Sequence, residues 1–375
     1  MQQAGLDRIV RAEDVAHMGI TEVIRHMPSV YWEYRRLVAS IKERRPDIAI
    51  LIDFPDVNLR LARELKKLDI PVLYFVSPQL WAWKRRRLRW VQQRVTRMMV
   101  IFPFEERFYR ARGVDAEFVG HPLAELPLPT VSREGYAEQH GLNANRPWIA
   151  LLPGSRAKEV KLNLATMLDA AASLGNDYEY IVPIASTLKR EWVQQLLSTG
   201  KPLRERTGLE WPRLIHLVPD AREALHHARA SVVASGTATV QAAVIGNPFV
   251  VVYRVSPVTF RLATCLVDYP PEIWPPEQLD ADGNLPIAMV NLIAGRRIVP
   301  ELLQTRFTAE NVAAALRPLL ADGPEREQMI ADLAGVRKAL QPAGVSPSIP
   351  RVCDAVETLL NQTAHASGPN SPASV

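Results

Sequence analysis

Short apolar runs recur along the chain at Ile48–Ile52, Val72–Val76, Arg97–Ile101 and Glu117–Gly120. They recur again at Trp148–Leu152, Tyr180–Pro183, Leu214–Leu217, Ser231–Ala234 and Phe249–Tyr253. Most are apolar at nearly every position, the pattern of strands covered on both faces. Before and between the first set lie stretches with helical spacing: Glu22–Arg44, Leu59–Lys67, Arg85–Val95 and Phe104–Arg112. Between and after the second set lie Lys158–Leu174, Thr187–Ser198, Ala221–Ala228, Thr239–Ile245 and Pro257–Leu266. Ala309–Leu320, Glu325–Leu340 and Arg351–Leu360 close the pattern. Strict alternation of strand and helix predicts an α/β protein with parallel, doubly wound sheets.

The rhythm also predicts the domains. It fails over Leu123–Asn145, rich in Pro and Asn, which reads as a linker between a first domain (1–122) and a second (146–340). Residues 341–362 hold one more helix, expected to cross back to the first domain. The tail 363–375, of Ser, Pro, Asn and Ala, is expected to be disordered. Tyr269–Pro286, rich in Pro, reads as an extended insert. Met1–His17 is polar and irregular, and the first apolar strand comes only at residue 48. A dinucleotide-type half opens with a strand, a glycine turn and a helix, so an opening βα unit is expected to be missing here.

Two strand-to-helix joints carry candidate chemistry. WIALLPGSR (148–156) and SVVASGTAT (231–239) each run an apolar strand into a glycine turn at a helix start. Helix starts present unpaired backbone N–H groups and partial positive charge, which suits phosphate. Gly154 and Gly236 let a ligand approach the backbone. Arg156 adds a fork for phosphate oxygens, and Ser155, Ser235 and Thr237 add hydroxyls. The same Ser and Thr residues can equally serve as helix caps, and Ser155 with Glu159 suggests a loose capping box. The pair of turns reads as a nucleoside-diphosphate site.

Composition adds limits. The 375 residues are 47% hydrophobic and 23% charged, those of an ordinary globular protein. A net charge of +5 and a pI near 9.2 favour anionic partners. Two cysteines exclude a disulfide framework or a Cys-rich zinc site. No apolar run reaches the roughly 18 residues of a membrane span. Aromatics sit beside arginines twice, however: Tyr31 and Trp32, then Trp81 and Trp83 with Arg85, Arg86 and Arg87. Rings and cations together suit an anionic membrane surface. A solvated helix face, or nucleic acid, is the alternative for the basic run.

Nine segments in order resemble lipid-A-disaccharide synthase, an inverting glycosyltransferase of GT-B architecture. They are MGITEVI (18–24), IDFPDVN (52–58), YFVSPQLWAW (74–83), FPFEERFY (102–109), VGHP (119–122), LLPGSRAKEV (151–160), ASGTAT (234–239), VVYR (251–254) and NLIAGRRIVPELLQ (291–304). The resemblance implies two Rossmann-like domains facing a cleft. It implies transfer of 2,3-diacylglucosamine from UDP-2,3-diacylglucosamine to 2,3-diacylglucosamine 1-phosphate (lipid X), giving the β-1,6-linked disaccharide and UDP. No metal, other cofactor or nucleic acid is implied. The expected location is peripheral, on the cytoplasmic side of the bacterial inner membrane.

By the same resemblance Asp53, at a strand end, is the base that takes the acceptor proton, with a helix cap as its plainer role. Arg156 faces the diphosphate. Asn58 and His121 border the acceptor side, and Tyr253 and Asn291 face the donor. Gln241 stands where the family usually has a Glu for the ribose. The family opens with a Gly-Glu-x-Ser-Gly-Asp turn that this chain starts after. Other GT-B UDP-GlcNAc enzymes, or an inactive lipid- or nucleotide-binding homologue, stay open as alternatives.

Overall fold

Parallel strands buried on both faces need helices on both faces, and the chain supplies them in alternation. The structure, a computed structural model, describes residues 7, 9, 10, 20–199, 211, 212, 214–342 and 346–366, with 20–30 and 363–366 described through their backbone alone. The first half contains α1 (Ile20–Arg44), β1 (Ala49–Ile52), α2 (Pro55–Lys66), β2 (Val72–Phe75), a 3-10 turn at Arg85–Arg87, and α3 (Leu88–Arg94). It continues with β3 (Arg97–Val100), α4 (Pro103–Arg110) and β4 (Ala116–Phe118). The four strands form a parallel sheet in the order β1-β2-β3-β4. β2 is buried at every position. β1 is an outer strand, with Ile50 and Ile52 exposed.

The segment read as a linker is folded. It holds α5 (Pro122–Glu125) and α6 (Arg133–His140). Ser132 caps α6, and Gly141 ends it in the left-handed region, so its local signals outweigh its lack of apolar rhythm. α6 belongs to the second half. Tyr136 packs with Trp148 and Ala224 in a small buried cluster. Arg133 donates to the carbonyls of Ala144, Arg146 and His227 and lies 3.6 Å from the Trp148 ring centre.

The second half runs β5 (Trp148–Leu152), α7 (Ala157–Leu174), β6 (Glu179–Pro183), α8 (Arg190–Thr199), β7 (Ile215–Val218), α9 (Ala221–His227), β8 (Ala230–Ala234), α10 (Thr237–Ile245) and β9 (Phe249–Tyr253). Then come α11 (Pro257–Leu266), α12 (Met289–Ala294), β10 (Glu301–Leu303), α13 (Ala309–Leu320), α14 (Pro324–Ala339) and α15 (Ser348–Ala366). Six parallel strands form the sheet β10-β9-β8-β5-β6-β7. β10 has no counterpart in the sequence reading, because a three-residue strand leaves too short an apolar run to register. α15 extends to Ala366, into the segment expected to be disordered; residues 367–375 lie outside the described residues, as does most of Met1–His17.

Several contacts tie the halves together. His121 N donates to Leu340 O at 2.9 Å. Ser348, at the start of α15, donates through its hydroxyl to Glu125 at 2.9 Å, and Arg351 reaches Phe118 O. The insert before α12 lies against the first half: Asp268 N donates to Ala82 O at 3.1 Å, and Glu272 pairs with Arg112 at 2.8 Å.

Candidate functional site

The second sheet has the strand order of a complete dinucleotide-binding half, in which β5 winds outward through β6 and β7 and the chain then returns to place β8 on its other side. The switch point lies between β5 and β8, where open α/β sheets bind ligands beyond the strand ends. β5 and β8 are paired in parallel register, Leu152 against Val233, so the turns that follow them are neighbours. Those turns are Pro153–Arg156 and Ser235–Thr237. The topology therefore brings together Gly154, Ser155, Arg156, Ser235, Gly236 and Thr237.

The two turns differ in what holds them. At the start of α7 the Glu159 carboxylate folds back and accepts from Ser155 N at 3.1 Å and Arg156 N at 3.3 Å. Its other oxygen lies 3.5 Å from Arg156 Nη1. Asn163 holds Pro153 O at 2.9 Å, and Thr187 holds Ser155 O at 2.6 Å. Gly154 has φ +125°, and a Cβ there would stand 2.6 Å from Glu159 Cβ. This turn is braced and carries its own anion. The Arg156 side chain is 84% exposed.

At the start of α10 no side chain caps the helix. Gly236 has φ +146°, and a Cβ there would meet nothing within 4 Å. Gly236 and Thr237 are exposed. Ser235 N is used by Val252 O, and Thr239 N and hydroxyl both turn to Gly236 O. The open space before Gly236 is where an anion can meet backbone amides. Tyr253, at the end of β9, is half-buried; burial and the Glu159 charge raise its phenol. Gln241 stands one turn into α10, among Leu123, Arg222, Val244 and Ile245, on the side that meets α5.

In the first half, Asp53 follows β1 and is exposed. Asp53 (φ +46°) and Phe54 (φ +44°) are consecutive left-handed residues, and Val76 after β2 is another (φ +63°). Such strain, of order 1–3 kcal/mol per residue, gathers at functional sites and persists only where the surroundings enforce it. Here Tyr74 Oη donates to Asp53 O at 2.6 Å, and Asn58 Nδ2 donates to Asp53 O at 2.7 Å and Ile52 O at 3.0 Å. Asn58 therefore spends both amide N–H donors on the turn. Tyr74 is a positioning residue that the sequence reading missed, because a strand tyrosine carries no signal of where its hydroxyl goes.

Other expected site residues fall elsewhere. Asn291 is fully buried: its Nδ2 donates to Val299 O (3.1 Å) and Glu301 (2.9 Å), and its Oδ1 accepts from Ile298 N (2.7 Å) and Val299 N (3.0 Å). Its amide has no capacity left for a donor, so it holds the α12–β10 loop instead. Arg254 is likewise turned inward, to Thr166 and Phe307 O. His121 is buried and caps α5, accepting from Leu123 N at 3.1 Å, and burial brings its imidazole down to about 4.

Trp81 does not face a membrane. It is 1% exposed, its Nε1 donates to the buried Glu105 at 3.0 Å, and Tyr269 of the insert lies against it at 5.6 Å. Burial pushes the Glu105 carboxyl up to about 7. Arg85 is exposed but paired with Asp268, and Arg87 is half-buried and paired with Asp56. Burial works against the Asp56 charge, but the hydrogen bond from Arg87 and the nearby Lys84 hold its carboxyl below the usual range. Trp83, Arg86, Tyr31 and Trp32 are exposed.

Among the described residues no helix is long and apolar enough to cross a membrane. The family model described as lipid-A-disaccharide synthetase matches residues 1–344. A lipid-A-disaccharide synthase of Acidobacterium capsulatum is 53% identical over 370 residues, 98% of this chain and 88% of the relative. Another, from Koribacter versatilis, is 48% identical over 342 residues, 91% and 83%. Among solved structures, the glycotransferase of kitacinnamycin superposes with a TM-score of 0.56 at 16% identity, covering 96% of this chain and 88% of that one, a likeness of fold. Strand order, paired glycine turns and these matches lead to one conclusion: the chain belongs to the lipid-A-disaccharide synthetase family.

Proposed function

We propose that the chain is a lipid-A-disaccharide synthase that binds the UDP of its donor at the β5–β8 switch point and takes a diacylated glucosamine phosphate as acceptor. The observation that carries this reading is the open start of α10 beside the exposed Arg156. The donor is UDP-2,3-diacylglucosamine and the acceptor 2,3-diacylglucosamine 1-phosphate. The acceptor hydroxyl attacks the anomeric carbon from the face opposite UDP. The C–O bond to the diphosphate breaks, and its electron pair leaves with UDP. Asp53 takes the hydroxyl proton, so the new β-linkage forms with inversion. Amides of Gly236 and Thr237, with the Arg156 guanidinium, meet the charge that grows on the leaving diphosphate. Ser155, Ser235 and Thr237 supply hydroxyls. No metal enters this scheme.

The enclosed strain at Asp53–Phe54 supports the base assignment, since Tyr74 and Asn58 hold that backbone in a conformation with a local cost. Acylated substrates place the enzyme on the cytoplasmic face of the inner membrane.

The test is UDP release with the acylated donor and acceptor. Asp53→Asn lowers turnover by roughly 10²–10⁴-fold, and Arg156→Ala by roughly 10²–10³-fold. Wild-type rates in either variant remove that residue from the mechanism. Brisk turnover of UDP-GlcNAc without acyl chains would favour a different enzyme of the same architecture.

A further inference from the structure

α11 follows β9 on the ligand side of the second sheet, and none of its ten residues is buried. Its sequence, PVTFRLATCL, carries one charged residue, Arg261. Val258, Leu262 and Leu266 recur at four-residue spacing and so share one face; they are 77%, 59% and 55% exposed. A helix usually turns its apolar stripe to a core. This one turns it outward, and Val258 is the most exposed of the large apolar residues described.

What lies at the end of the stripe identifies its partner. Two residues beyond Leu266, Asp268 is bonded to Ala82 O and paired with Arg85. The stripe therefore abuts the exposed turn of Trp83, Lys84, Arg85 and Arg86 in the first half. Trp83 is 43% exposed, with Lys84 Nζ 4.1 Å from its ring centre. Apolar surface, an exposed indole and a group of cations follow one another across both halves. That order matches a bilayer surface, where apolar side chains enter the acyl region, indoles sit at the boundary and cations meet anionic head groups. A second copy of the chain is a poorer occupant: a two-fold contact would bring the same basic turn against itself.

We infer that α11, with the Trp83–Arg86 turn, is a lipid-docking face that seats the enzyme on an anionic leaflet beside its donor site. This rests on the proposed use of acylated substrates, and it replaces the buried Trp81 with the apolar stripe of α11 while keeping the exposed Trp83–Arg86 turn. The seat needs no conformational change, because every side chain it uses is already outside.

The experiment is co-sedimentation of the full chain with phosphatidylcholine vesicles, with and without phosphatidylglycerol. The variants are Val258→Ser/Leu262→Ser/Leu266→Ser and, separately, Lys84→Gln/Arg86→Gln. The wild type should bind the anionic vesicles. The triple variant should lose roughly tenfold or more in partitioning, the scale expected for removing three partly inserted apolar side chains. The double variant should lose the preference for phosphatidylglycerol. UDP calorimetry on each variant should match the wild type, which also shows that each is folded. An environment-sensitive fluorophore on Leu262→Cys, in a Cys265→Ser/Cys353→Ser background, should shift to the blue when anionic vesicles are added.

Vesicle binding by the triple variant equal to the wild type overturns the inference. So does a wild-type dimer that the triple variant breaks while neither form binds vesicles. Absence of UDP binding in the wild type counts against the transferase reading instead, and leaves the vesicle result standing.

Discussion

The two glycine turns at the β5–β8 switch point look alike in sequence and do different work in three dimensions. At the start of α7, Glu159 places a carboxylate on the amides of Ser155 and Arg156. At the start of α10, nothing covers Gly236 and Thr237. A helix start attracts negative charge whatever its source. One turn satisfies that demand from within and so becomes a rigid support for Arg156. The other leaves it for a ligand. The α5 start is a third solution, with a neutral imidazole as acceptor for Leu123 N. Reading a glycine turn as a phosphate site therefore requires knowing what already occupies it.

The sharpest way to break this contrast is Gly236→Val. The valine must hold φ near +146° and would fill the open space before the amides. UDP affinity should fall by roughly a hundredfold, measured by calorimetry on folded protein. A change below about threefold would mean that the open turn is not the anion cradle.

Gly154→Ala attacks the braced turn instead. Its new methyl would sit 2.6 Å from Glu159 Cβ at φ +125°. Urea unfolding should show a loss of about 2 kcal/mol. An unchanged midpoint would show that Glu159 does not pack there.

Glu159→Ala should separate stability from binding. Losing the cap costs about 1 kcal/mol, yet two amides are freed and a negative charge leaves the neighbourhood of the diphosphate. We expect lower stability with UDP affinity raised a few-fold. If both fall together, the carboxylate supports the ligand through Arg156 rather than competing with it.

The last test concerns the imidazole cap and is confined to acid pH. Burial brings the folded pKa of His121 down to about 4 from the ordinary 6.5 of an imidazole. Its contribution is complete above pH 6.5 and declines as pH falls toward 4, where protonation removes the acceptor. The loss should be about 1–3 kcal/mol across that window. His121→Asn keeps an acceptor that does not titrate, and should flatten this part of the stability profile. A profile unchanged in the variant would assign the decline to other groups.

Much of the architecture was legible because buried parallel strands must be apolar throughout. β5 and β9 match the runs at Trp148–Leu152 and Phe249–Tyr253 residue for residue, and α11 and α13 match their predicted spans. The site was legible where it depends on local backbone: both glycine turns lie at strand ends, side by side. It failed where a side chain's partner is distant in sequence. Trp81 read as a membrane anchor because it stands beside arginines, but Glu105 and Tyr269 enclose it. Asn291 read as a donor ligand, but the Val299 and Glu301 segment consumes its amide. The span 123–145 read as a linker because capping, not apolar rhythm, defines α6.

What the chain alone determined is its list of strands, their covered faces and the positions where glycine meets a helix start, since these follow from residue type and spacing. Only the tertiary structure decided which turn stayed open, which arginines kept a free charge and which apolar helix remained outside. Those outcomes depend on hydrogen-bond and packing partners tens to hundreds of residues away, as Arg85 and Asp268 show, and no local pattern encodes such partners.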